Sequence, residues 1–252
     1  MKNNNLRLSV TLLALAALLT APLATAQQFG FVQPSFFGDI ALSHSGGRYP
    51  SSDDDDEDAP SAQGWSEPQA PSESTAPLTI RRLESSSLES LHLELATAMA
   101  PDESTRAPLL QALRSGEMAA QFDEILRYNQ MDPTDLANAL TAYTVVMWLI
   151  VNEQLDGPTD PTAIHAARDQ FSPLFRADPA LQQLDPGQRA AEFERLASFS
   201  VLGIAAYMHQ RNENDRESLR QLQDAINEGM RSSGGLDLRT LELTSTGLRP
   251  RG

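Results

Sequence analysis

Apolar residues in the second half of the chain follow helical spacing, and the longest uncharged apolar run beyond the N-terminus lies between Asp132 and Pro158. Asp132 followed by Pro133 predicts a helix start, because an aspartate can cap free backbone N–H groups and proline suits the first turn. Asp156-Gly157-Pro158 predicts the helix end. The pattern therefore predicts one buried central helix over this stretch.

Apolar residues upstream recur on one face only, which predicts shorter amphipathic helices. The first is expected to start at Ser86, where Glu89 stands at the spacing of a capping box. A second is expected over 105–115, and a third ends before Asp132. These helices would shield the central one from water.

Aspartate-proline pairs recur downstream and predict further helix starts, at residues 160, 178 and 185. The last pair opens a long helix through Arg211, and its stretch from Leu196 to Met208 is apolar on nearly every side. A helix without a polar face is buried, and Gly203 would let it approach the central helix closely. A final helix is expected from Asp215 to the glycines at 234 and 235.

The stretch from Leu236 to Thr244 alternates apolar and polar residues, with a slip between Leu238 and Leu241 that predicts a bulged strand. This strand can pair with a short edge strand at 78–83. We therefore predict a mainly α fold: a compact bundle of about six to seven helices around two buried helices, with a short C-terminal strand paired near residue 80.

The N-terminus has the three-part pattern of a secretory signal peptide. Lys2 and Arg7 precede an apolar run over 8–19, and Ala24-Thr25-Ala26 form a small-residue cleavage site. We expect cleavage after Ala26 and a periplasmic or extracellular location in a bacterium. The chain has no Cys, which excludes disulfides and thiol nucleophiles.

Residues 27–77 are rich in Pro, Ser and acid and are predicted to form a disordered linker. Its acidic run over 53–58 lacks the spacing of an EF-hand loop and is expected to be solvated. The four phenylalanines between Phe29 and Phe37 are unusual in such a linker, and they either dock on a partner or form a sticky terminus. The predicted organisation is a signal peptide over 1–26, the linker over 27–77, a helical domain over 78–248 and a disordered tail over 249–252.

The net charge is −15, and it becomes −17 when Lys2 and Arg7 leave with the signal peptide. Nucleic acid is therefore excluded as a partner, because a phosphate backbone requires a basic surface. Lys2 is the only lysine, so Schiff-base, P-loop and Ser-x-x-Lys chemistry are excluded as well.

The sequence contains no established catalytic or metal-binding motif. Its histidines are isolated from one another, without an HExxH pair, and stand at His44, His92, His165 and His209. No Gly-x-Ser-x-Gly elbow occurs. We therefore expect no catalytic residue, no metal and no cofactor.

Two alternatives to a soluble binding protein stay open at this stage. An exported helical domain can cleave peptidoglycan with one buried glutamate whose pKa is raised by burial, and the candidates are Glu94, Glu103, Glu117, Glu124 and Glu153. The second alternative is a membrane-associated envelope protein in which 136–151 inserts, although this length is at the lower limit for a span.

Two segments, DPTDLANALTAYTVVMWLIVNE and GGLDLRTLELTSTGL, together with the long apolar helix between them, resemble a family of exported bacterial proteins. The resemblance extends roughly from Leu78 to Leu248. It implies a mainly helical domain of unknown function, and it carries no catalytic role.

One face of the central helix combines polar and aromatic side chains, since residues three and four apart share a face. It contains Asn138, Thr141, Val145, Trp148 and Asn152. The four other than Val145 are candidate binding residues for a sugar or peptide. The alternative is that these groups bond within the fold, as buried polar groups usually do.

The main hypothesis is an exported, non-enzymatic binding or interaction module. Its partner would be a protein, a peptide or a ligand of the cell envelope. We expect no nucleic-acid partner and no stable membrane span after signal cleavage.

Overall fold

The computed structural model describes residues 76–81, 83–100, 102–157 and 160–252. The predicted signal peptide and nearly all of the predicted linker, with its phenylalanines and acidic run, lie outside the described residues. The described part is mainly helical, as predicted. Its eight α-helices are α1 (Ser85–Met99), α2 (Glu103–Arg114), α3 (Glu117–Tyr128), α4 (Leu136–Val151), α5 (Pro161–Ala177), α6 (Pro179–Gln183), α7 (Pro186–Asn212) and α8 (Arg216–Gly234).

The central helix α4 is buried along its whole length, but it starts about one turn later than predicted. Asp135 is the N-cap, and its Oδ1 accepts a hydrogen bond from the backbone N of Ala137 at 3.0 Å. Asp132 instead accepts from the N of Thr134 at 2.8 Å and forms a turn ahead of the helix. A local side-chain turn of this kind competes with helix formation, which is why the predicted start is wrong here.

The predicted end of α4 is also wrong, because the helix stops at Val151. Glu153 adopts a left-handed backbone with φ of 53°, and the N of Gln154 donates to the carbonyl of Leu149 at 2.8 Å. This closes the helix before the aspartate and glycine at 156 and 157 are reached. None of the described helices has both the length and the hydropathy required to cross a bilayer.

The three downstream Asp-Pro starts are confirmed. Asp160 and Asp178 cap α5 and α6 by accepting from backbone N–H groups at 2.9 and 2.7 Å. Asp185 forms a complete capping box with Gln188 at the start of α7. The capping box predicted from Ser86 and Glu89 is wrong.

Helix α1 begins at Ser85 without a side-chain cap. Glu89 does not reach back to the backbone because its carboxylate forms an ion pair with Arg114 of α2. This pair joins two neighbouring helices on their exposed side.

Helices α4 and α7 pack against each other at the centre of the bundle, as predicted. The two helices are in close contact at Gly203. A Cβ atom added there would lie 3.2 Å from Cδ1 of Ile150 and 3.5 Å from Cε of Met147. Helix α5 packs on α4 from another side, and α3 and α8 pack on α7.

The C-terminal segment forms a hairpin rather than a strand paired near residue 80. A 3₁₀ turn (Leu238–Thr240) lies where the alternation slips, and β1 (Leu241–Thr244) pairs antiparallel with β2 (Gly247–Pro250). The predicted pairing with 78–83 is wrong, because that segment packs at the start of α4, where Thr79 bridges Asp135.

The predicted disordered tail over 249–252 differs from the structure as well. Strand β2 continues to Pro250, and the backbone N of Arg251 donates to the carbonyl of Thr240 at 2.8 Å. On the outer edge of β2, the Gln170 side chain accepts from the N of Leu248 at 2.8 Å and donates to its carbonyl at 3.1 Å. The hairpin is thereby fixed to α5.

Candidate functional site

The N-terminal part of the predicted polar stripe on α4 forms hydrogen bonds with α5. Ser172 of α5 donates to Oδ1 of Asn138 at 3.1 Å, and its hydroxyl lies 3.3 Å from that of Thr141. Thr141 also donates to the carbonyl of Ala137 at 2.8 Å. All three polar side chains are buried, so this part of the stripe joins two helices.

The C-terminal part of the stripe holds the C-terminal segment. The indole N–H of Trp148 donates to the carbonyl of Leu241 at 3.0 Å. The amide of Asn152 donates to the carbonyl of Leu238 at 3.1 Å and accepts from Arg251 at 2.5 Å. The structure therefore gives each of the four candidate residues a partner inside the fold, and a ligand-binding role for them stays a prediction.

A groove of about 520 Å³ lies beside α4. Its floor is the face of α4 that contains Ala142, Val145, Val146 and Leu149, and Val145 is the one stripe residue among them. The walls come from α3, the loop after α4, α5 and α7, and they are formed by Ile125, Tyr128, Asn129, Met131, Leu155, Gly157, Pro161, Ile164 and Ile204. The groove contains no charged side chain.

The end of α3 contributes an exposed aromatic side chain to the groove wall. Tyr128 is 86% exposed, and the only other large hydrophobic residue exposed in the described part is Leu93, on α1. After α3 the chain turns through Gln130, which has φ of 56°. The N of Met131 then donates to the carbonyl of Leu126 at 2.9 Å. This turn fixes the aromatic rim beside the apolar floor.

The loop after α4 forms another part of the rim and is tied to α7. Its Asp156 carboxylate accepts from the hydroxyl of Tyr207 at 3.2 Å and from Nε of Arg211 at 3.1 Å. Burial, together with the charge of Asp156, raises the pKa of Tyr207 to about 12. The hydroxyl is therefore a hydrogen-bond donor at neutral pH, and it helps to hold Leu155 and Gly157 at the groove.

Sequence reasoning missed the groove because its residues come from five separated segments. One signal was present: α4 contains no charged residue, so a gap that neighbouring elements leave beside its apolar face becomes an apolar site. The position of that gap depends on the turns at Gln130 and Glu153. Both residues have a left-handed backbone although neither is glycine, and no sequence pattern predicts such turns.

The glutamates named for a cell-wall hydrolase lie away from the groove. Three of them form ion pairs: Glu94 with Arg195, Glu103 with Arg106, and Glu153 with Arg211 and Arg216. The other two, Glu117 and Glu124, are exposed.

One glutamate outside that group has the property that the hydrolase alternative requires. Burial raises the pKa of Glu192 above its usual range, although the Arg195 guanidinium 2.7 Å away partly offsets the effect. Glu192 lies on α7 and does not line the groove. A raised pKa without a cleft is a weak indication of catalysis.

The histidines do not converge in the described part of the chain. His92 is buried on α1, whereas His165 and His209 are half-buried on α5 and α7; His44 lies outside the described residues. Within the described ranges no group of three His, Asp or Glu side chains is arranged to hold a metal ion.

No curated protein and no solved structure matches this sequence. A family of unknown function, DUF6683, matches it over residues 8–251. The match is wider than the stretch from Leu78 to Leu248 that carried the resemblance, and it also covers the segment with the four phenylalanines. The chain belongs to the DUF6683 family.

Proposed function

We propose that this protein is an exported, non-enzymatic binding module whose groove beside α4 takes up an apolar segment of a protein or peptide partner. The observation that supports this most directly is an uncharged groove of about 520 Å³ with Tyr128 86% exposed at its rim. This volume lies within the range of known ligand sites.

The chemistry of the lining favours apolar side chains over sugars or charged ligands. Only Tyr128 and Asn129 bring polar side-chain atoms to the groove, and the Asn129 amide N–H group donates to the carbonyl of Ile125 at 2.8 Å. A tyrosine at a rim supplies a large contact area together with one polar atom. A partner would therefore gain most of its affinity from burying apolar surface, at roughly 25 cal/mol per Å².

The predicted signal peptide supports export, and export places the groove where envelope or secreted proteins are the available partners. The acidic net charge is in keeping with a protein or peptide partner and against nucleic acid. Because the groove lining is uncharged, the part of a partner that enters the groove does not require a charged residue.

The test is selection of binding peptides from a random display library on the chain from Gln27 to Gly252. We expect the selected peptides to be rich in aromatic and aliphatic residues. Tyr128→Asp should abolish their binding, because it places a charge on the rim of an apolar site. Leu93→Asp is the matched control, since Leu93 is 50% exposed and does not line the groove.

A second pair of variants blocks the groove without changing its charge. Gly157 is exposed, and a Cβ atom there meets only the carbonyl of Gln154 at 3.6 Å, so Gly157→Trp should fold and obstruct the site. Gly252→Trp is its control, because nothing lies within 4 Å of a Cβ there. Peptides that bind all four variants equally would overturn the groove as the binding site.

A further inference from the structure

We propose that the groove is occupied by the chain's own segment from Phe29 to Phe37 until a partner displaces it. The proposal rests on the proposed function, because it states how the same groove is regulated. The proposed contact is between an apolar groove in the described domain and a strongly apolar segment of the sequence. That segment lies between the predicted signal peptide and the domain.

The segment has an unusual concentration of aromatic residues. Four of the nine phenylalanines of the chain lie between Phe29 and Phe37. A phenylalanine side chain left in water is less favourable than one that is buried, so four of them together favour a buried position. The described surface exposes only two large hydrophobic residues, Leu93 and Tyr128, and Tyr128 marks the groove as the site with the matching chemistry.

The phenylalanine segment and the groove are also alike in having no charge. Residues 27–38 contain no charged side chain, and the groove lining contains none. The acidic run over 53–58 would lose its hydration in such a groove without gaining a partner for its charge. Among the parts of the chain between Gln27 and Pro77, the phenylalanine segment is therefore the one that fits.

The chain between Phe37 and Leu78 is long enough for the phenylalanine segment to reach the groove. The described domain is entered at Leu78, whose carbonyl accepts from the N of Leu136 at 3.0 Å, at the start of α4. From Leu136 to Val146 in the groove floor, a helix rises roughly 15 Å. About 40 residues connect Phe37 to Leu78, and a coil of that length spans roughly 35 Å on average.

Tethering has a quantitative consequence for any partner. A segment held by such a linker reaches the groove at an effective concentration on the order of 1 mM. A partner must compete with it, so its apparent affinity falls in proportion to the fraction of vacant groove. Removing the phenylalanines should therefore increase the affinity for any groove ligand by tenfold or more.

The absence of cysteine makes the contact directly measurable by cross-linking. Phe31→Cys combined with Tyr128→Cys, in the chain from Gln27 to Gly252, places one thiol on the segment and one on the rim. We expect mild oxidation to close an intramolecular disulfide at least tenfold faster than in the pair Phe31→Cys with Leu93→Cys. Equal rates would overturn the proposal, and so would a disulfide formed only between two chains.

A dye measurement separates this proposal from the proposed function. The probe is 1-anilinonaphthalene-8-sulfonate, and the variant changes all four phenylalanines to serine. We expect the variant to bind the dye at least tenfold more tightly than the parent chain, with the gain removed by adding Tyr128→Asp.

If parent and variant bind equally and Tyr128→Asp abolishes both, the groove is a vacant binding site and the self-docking proposal fails alone. If Tyr128→Asp changes neither, the groove does not bind and both proposals fail.

Discussion

The guanidinium of Arg176 on α5 donates two hydrogen bonds to Oδ2 of Asp135 at the start of α4, at 3.0 and 2.5 Å. The other carboxylate oxygen accepts from the backbone N of Leu78 at 3.2 Å and of Ala137 at 3.0 Å. Asp135 is 2% exposed, so one buried carboxylate joins the entry segment, the central helix and α5.

Replacing Arg176 with alanine should lower the free energy of unfolding by about 3 kcal/mol, because the Asp135 charge is left buried without its cation. Urea denaturation measures this directly. Arg220→Ala is the control: its partner Glu217 is exposed, and the solvent screens such a surface pair, so its loss should have little effect on stability. Equal losses in the two variants would show that the Asp135 pair has no special role.

Asn152→Ala should lower the free energy of unfolding by about 1 to 3 kcal/mol, since the hydrogen bonds of its side chain with the carbonyl of Leu238 and with Arg251 are both lost. Hydrogen exchange should increase locally at the 3₁₀ turn and in β1. Gln154→Ala, at an exposed neighbouring amide, should have little effect. A variant that keeps its stability and loses peptide binding would instead favour the ligand role predicted for Asn152.

Gly203→Leu should destabilise the domain by about 1 to 3 kcal/mol, because its branched side chain would meet Ile150 and Met147 in the tight contact between α4 and α7. Gly203→Ala is the informative companion. Alanine gains about 1 kcal/mol of helix propensity, and its Cβ lies only 3.2 Å from Cδ1 of Ile150. We expect thermal melting to place this variant close to the parent and well above Gly203→Leu.

Acidification should destabilise the domain partly through His92. Burial lowers the pKa of this imidazole below its ordinary value, so the unfolded chain binds its proton more readily than the folded domain does. The stability that neutral His92 contributes is therefore present above the unfolded pKa, about 6.5, and is lost as the pH falls below it. Between about pH 7 and pH 5, the melting temperature of His92→Gln should fall less than that of the parent protein. The difference between the two melting temperatures at about pH 8 serves as the baseline.

Production in a bacterium with a Sec pathway should yield a shortened protein that begins at Gln27, because the small residues before it form the cleavage site. N-terminal sequencing of the periplasmic and culture fractions is the measurement. Ala26→Arg should block processing and serves as the control. Full-length protein confined to the cytoplasm would contradict the predicted export.

The parts of the fold that were predictable depend on short-range chemistry. Asp160, Asp178 and Asp185 each precede a proline and act through atoms within three residues, so their caps could be read from the sequence. Asp132 has the same signature but bonds to Thr134, and the cap role passes to Asp135. That choice depends on Arg176 and Leu78, which approach from distant parts of the chain.

The candidate site was predictable only in part for the same reason. The stripe on α4 was visible because spacing within one helix fixes its face. The partners of Trp148 and Asn152 come from residues about 90 positions away, and the groove depends on where five segments meet. Hydrophobic patterning identifies which helix is buried, and it leaves open which face of that helix borders the groove.

The side chain of Gln170 accepts from and donates to the backbone of Leu248 as the next strand of a sheet would do. Proline at 250 removes another donor from β2. A two-stranded ribbon at the end of a chain would otherwise offer its outer rim as a template for a second copy, a recognised route to aggregation. In this protein, a glutamine on a helix occupies the hydrogen-bonding groups of that rim at Leu248, so the outer edge of β2 is not a free template for another strand.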